Sequence, residues 1–81
     1  MTRIGRGAFS GCSYLTSITI PEGVTEIGDS AFSYCSALTS ITIPESVKEI
    51  DYLAFSYCDN LTNITWKGNI YASVNDFMDA F

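Results

Sequence analysis

Apolar and polar positions along this chain form a pattern that returns every 23 residues. Ile20–Thr42 reads IPEGVTEIGDSAFSYCSALTSIT and Ile43–Thr65 reads IPESVKEIDYLAFSYCDNLTNIT, identical at 15 of 23 positions without a gap. Ile4–Thr19 matches Ile27–Thr42 at 12 of 16 positions, so a partial copy stands before two full ones. In the middle copy, Ala31, Phe32, Cys35 and Leu38 have the spacing of one apolar face of a short helical turn. Leu38, Ile41 and Ile43 then alternate with Ser40 and Thr42, the pattern of a strand with one face buried. Pro44 stops that strand because it has no N–H to donate. Val47 and Ile50, with Val24 and Ile27 one copy earlier, predict a second short extended segment, and Gly5 and Gly28 mark a bend after it. Each copy thus buries one rung of side chains, and stacked rungs make the core.

The pattern fails after Thr65. Trp66-Lys67 stands where Ile-Pro is expected, and Lys67-Gly68-Asn69 predicts a tight hairpin turn, since glycine and asparagine tolerate positive φ. Ser73 is an N-cap with Asp76 three residues later, in the manner of a capping box. Val74, Phe77, Met78 and Phe81 follow at helical spacing, with Asn75, Asp76 and Asp79 turned away. Residues 67–81 are therefore read as a cap, a hairpin arm and one amphipathic helix over the last rung. Tyr52 and Leu53, which replace Asp29 and Ser30, are expected to offer it apolar surface, and Trp66 to fill the core beneath it.

A period of 23 falls in the leucine-rich-repeat range of roughly 20–29 residues. The motif IPxxVxxIxxxAFxxCxxLTxIT, present twice in full with a partial copy in front, resembles the BspA-like (TpLRR) class of leucine-rich repeats, found mainly in bacterial surface proteins. The resemblance covers about residues 2–66. It implies an α/β fold: a right-handed solenoid with a parallel sheet on its concave side, helical turns on the convex side, and the hairpin and helix as terminal cap. The domain reading is 1–66 for the repeats (1–19, 20–42 and 43–65) and 67–81 for the cap. The resemblance further implies a cell-surface or secreted location as part of a longer protein and a non-enzymatic interaction role, often adhesion to host or bacterial proteins, with a host extracellular protein as one such ligand; the alternative is a structural cap or spacer of a longer array with no ligand of its own. The first copy lacks its IPxxV half. Either the chain is a fragment, or the open N-terminal rung closes by homo-oligomerisation, and the two are compatible.

Composition narrows the partners. Charged residues are 16% of the 81 and hydrophobic ones 47%, the reverse of a disordered acidic tail. No apolar run reaches the roughly 18–20 residues of a membrane span, and Met1-Thr2-Arg3 leads into glycines rather than a signal peptide. A net charge of −5 argues against nucleic acid and anionic membrane, both of which need a cationic face.

Chemistry-bearing residues are few. Without histidine, and without a GxSxG elbow, a P-loop or a dinucleotide glycine turn, no catalytic residue, cofactor or metal is assigned. Cys12, Cys35 and Cys58, one per copy, lack disulfide arithmetic and zinc spacing, and are read as small buried hydrophobes. Glu22, Glu26, Glu45 and Glu49, with Asp29, Asp51 and Asp59, are read as a solvated face, for no DxDxDG-like loop gathers them around a cation. Ser17, Thr19, Ser40, Thr42, Asn63 and Thr65 point out of the sheet. Ordinary strand chemistry accounts for them, and a ligand face is the alternative, since concave solenoid sheets are binding surfaces. Tyr34 and Tyr57, aligned with Gly11, predict a two-ring stack on the convex side. Asn60-Leu61-Thr62 and Asn63-Ile64-Thr65 match the N-glycosylation pattern; the bacterial resemblance implies that they are unused.

Overall fold

Each copy contributes two strands, and each strand pairs with its own equivalent in the next copy. In the computed structural model, which describes residues 3–51 and 53–81, the elements are β1 (Arg3–Ile4), β2 (Ser17–Thr19), β3 (Glu26–Ile27), β4 (Ser40–Ile43), β5 (Glu49–Ile50), β6 (Asn63–Trp66), β7 (Asn69–Tyr71) and α1 (Val74–Ala80). β1, β3 and β5 form one parallel sheet, with Arg3 opposite Glu26 and Glu26 opposite Glu49. β2, β4 and β6 run parallel in a second, which β7 extends antiparallel to β6, with Ser17, Ser40 and Asn63 in one register line and Thr19, Thr42 and Thr65 in another. A leucine-rich-repeat α/β fold follows, because the repeat period itself sets the register.

The core is a set of ladders. Ile41, Ile64, Val24, Val47, Leu38 and Phe32 are buried between the sheets and the turns. Phe32 stacks on Phe9 at 5.2 Å and on Phe55 at 5.4 Å, with rings within 5° of parallel. Sequential rungs bury the same face of the same residue types, so the hydrophobic gain repeats at every interface. The first rung is less covered: Phe9, Cys12, Leu15 and Ile18 are only half-buried, whereas Phe32, Cys35, Leu38 and Ile41 are fully so.

The stretch expected as a short helical turn folds differently. Residues 28–38 make successive tight turns, and the N–H groups alternate between two kinds of partner. Ala31, Ser33 and Cys35 donate to carbonyls three residues back, while Phe32 and Tyr34 donate across to Ala54 and Ser56 of the next rung at 2.7 and 2.8 Å. Phe9 and Gly11 make the same bonds to Ala31 and Ser33. An α-helix would spend these donors within its own rung. Here positive φ at Ser30 (58°) and Tyr34 (61°) reverses the chain before a helix can propagate.

Gly28 is also more than a bend. A side-chain carbon there would lie 3.0 Å from the Ile4 carbonyl oxygen and 3.1 Å from the Arg6 nitrogen, so only glycine lets the first rung approach this closely.

After β6 the chain reverses. Lys67 and Gly68 take φ of 51° and 79°, so the positive values fall on this pair and not on Asn69, which closes the hairpin opposite Trp66. α1 follows, its N-cap Ser73 oxygen accepting from the Asp76 N–H at 3.1 Å. Phe77 is the buried helix residue. It meets Trp66 edge-on at 5.7 Å, with Phe81 5.0 Å from Trp66 on another side, so Trp66 sits under the helix. Leu53, expected to offer the helix apolar surface, stays 41% exposed. Tyr52, its expected companion, lies outside the described residues.

Candidate ligand-binding face

The central isoleucines of β4 and β6, Ile41 and Ile64, are buried, and Ile18 of β2 is half-buried on the same side. Alternation then puts the residues on either side on the outward face. All six polar residues singled out from the sequence meet there, in two parallel rows: Ser17, Ser40 and Asn63, and Thr19, Thr42 and Thr65. Neighbours within a row are roughly 4.8 Å apart, the spacing of hydrogen-bonded strands. Ser17, Thr19, Thr42 and Asn63 are exposed, while Ser40 and Thr65 are half-buried. No charge interrupts either row, so the face offers hydroxyl and amide hydrogen bonds without electrostatic bias.

One residue of this face is absent from the polar rows. Ile70 of β7 pairs with Thr65 and is 68% exposed. It therefore ends the threonine row with an apolar side chain. The signal lay in the hairpin: with a two-residue turn, residues opposite one another share a face.

The other candidates take structural places. Cys35 and Cys58 are buried, and their thiols donate to the carbonyls of Phe9 and Phe32 at 3.1 and 2.9 Å. Burial raises the Cys35 pKa and pushes that of Cys58 up to about 11, which keeps both thiols protonated and unreactive near neutrality. All three cysteines are free. Among the described residues no group of acidic side chains is placed to hold a metal ion; Glu26 pairs with Arg3 at 3.2 Å and Asp29 with Arg6 at 3.4 Å. Those arginines occupy, one copy earlier, the same repeat positions as their partners. The pairs are solvent-exposed and line an open groove of about 630 Å³ that also includes Lys48, Glu49, Asp51 and Phe81.

Tyr34 and Tyr57 stack at 4.6 Å with rings 10° apart. The Asn60 side-chain nitrogen, the atom a glycan would need, donates to the Ser36 carbonyl at 2.7 Å. Among the described residues no helix is long and apolar enough to cross a membrane.

A family model described as BspA type Leucine rich repeat region (6 copies) matches residues 1–78. No curated protein matches the chain. Among solved structures, a leucine rich cell surface protein from Faecalibacterium prausnitzii A2-165 is similar to it, with 47% identity and a TM-score of 0.81 over 84% of this chain. The match covers 18% of that protein, so the chain spans less than a fifth of its length.

Proposed function

Since the chain belongs to the BspA-type leucine-rich repeat family, we propose that it is a non-enzymatic interaction module of a cell-surface protein, which holds a protein ligand on the outward face of β2, β4 and β6. The carrying observation is the two in-register rows, Ser17–Ser40–Asn63 and Thr19–Thr42–Thr65, four of whose six residues are exposed and none of which is charged. Such a face suits an extended polypeptide or a flat loop, with hydroxyls as adaptable partners and Ile70 as the apolar anchor at one end. The surface description of the Faecalibacterium protein supports the location, and adhesion to a host extracellular protein is the role that fits it. The test is capture of extracellular host proteins by the immobilised chain, compared with Ser40→Arg and Thr42→Arg. Loss of a captured protein in both variants, with an unchanged melting curve, supports this reading. Equal capture by all three overturns it.

A second reading, a structural cap and spacer for a repeat array, is favoured by the C-terminal cluster. Trp66, Phe77 and Phe81 seal the last rung with aromatic contacts of 5.0–5.7 Å, as a terminating segment must. That reading holds if no ligand is captured and deletion of α1 lowers stability.

A further inference from the structure

The turn segments carry a second exposed surface, separate from the Ser/Thr rows, whose aromatic residues stand where the backbone favours glycine. Tyr34 and Tyr57 both have φ of 61°, a left-handed conformation that disfavours bulky side chains. The first copy uses Gly11 there, at 74°. Burial does not account for the two rings, which are 58% and 64% exposed. They lie face to face at 4.6 Å. Tyr57 thereby covers one face of Tyr34. The opposite face looks toward the first copy, where Gly11 offers no side chain and where an added Cβ would meet nothing within 4 Å. A flat aromatic face is left open at the end of a two-ring stack.

We propose that this open face of Tyr34 receives the guanidinium of an arginine in a basic segment of a partner protein. The guanidinium is planar and weakly hydrated and stacks on aromatic faces, so it suits an exposed flat ring with open space beside it. Charge selects it over a neutral or anionic ring. The chain carries −5, with Asp59 exposed two residues beyond Tyr57, and such a field concentrates cationic segments. Its own cations are committed elsewhere: Arg3, Arg6 and Lys48 line the groove beside β1, β3 and β5, and Lys67 lies over the Trp66 ring at 4.7 Å.

The experiment is an NMR titration of the full chain with an acetylated Gly-Arg-Gly-Arg-Gly peptide, following the ring protons of Tyr34 and Tyr57. Both should move saturably, Tyr34 the more. The double variant Tyr34→Gly, Tyr57→Gly gives the backbone the residue its φ prefers and should keep the Ile41 and Ile64 amide signals in place. It should bind the peptide roughly two- to fivefold more weakly, the worth of an exposed cation–π contact. Equal affinity of the double variant overturns the proposal. So does movement of the Tyr34 ring by methyl β-glucoside with none by the peptide, which would make the stack a sugar platform. Ring shifts that depend on protein concentration alone would assign the open face to a second copy and overturn it as well.

Discussion

The thiol of Cys58 donates a hydrogen bond to the backbone carbonyl of Phe32 at 2.9 Å, one rung back. Cys35 repeats the contact on Phe9 at 3.1 Å. The two thiols thus add a second donor, from the next rung, to carbonyls that already accept the Cys12 and Cys35 N–H groups, and they do so only while they keep their protons. Ionisation removes the donor and buries a charge. The ordinary value of 9.0 rises to about 11 for Cys58, chiefly through burial, so the folded state binds the proton more tightly than the unfolded state. Its contribution is therefore fully present below about pH 9 and is lost as pH rises toward 11. Urea unfolding between pH 8 and 11 should show that decline, with a shallower slope in Cys58→Ala. A flat profile in the parent chain would remove the buried-thiol account.

The phenylalanine ladder predicts a gradient along the chain. Phe32 is fully buried between two rings, and Phe32→Ala should cost about 3–5 kcal/mol. Phe9 is half-buried with a ring on one side only, so Phe9→Ala should cost about half as much. Thermal unfolding of both variants checks the order, and equal losses would contradict it.

Two glycines one copy apart should behave oppositely. Gly28→Ala drives a methyl against backbone atoms of the first rung at 3.0–3.2 Å, which should destabilise by about 1–3 kcal/mol. Gly5→Ala meets nothing within 4 Å and restricts the unfolded chain, so it should be neutral or stabilising by about 0.5 kcal/mol. Paired denaturation curves decide whether close approach, rather than conformational freedom, explains Gly28.

For Tyr34, strain and stacking oppose each other. Tyr34→Gly relieves a left-handed backbone worth about 1–2 kcal/mol and gives up a ring pair worth about 0.5–1.5 kcal/mol. The melting temperature should therefore stay within a few degrees of the parent. A large loss would show that the stack holds the fold together rather than standing ready at its surface.

Burial and register were legible from the one-dimensional pattern. Which side of a strand faces inward depends on local alternation, and which residues line up depends only on the period. Ile41, Ile64, Phe32 and the six residues of the two polar rows could therefore be placed by counting. The Ser73 cap and the hairpin were equally local, since each depends on a few consecutive residues. Other features depend on what the adjacent rung presents. The turns after Gly28 share their donors with Ala54 and Ser56, so they do not become a helix. Gly28 is required by a carbonyl of Ile4, Arg3 finds Glu26 across a strand pair, and Ile70 reaches the ligand face only because a two-residue turn sets it opposite Thr65. Local composition determines which residues leave water, but a hydrogen bond or a close contact needs its partner in space, and only the stacking of rungs supplies one.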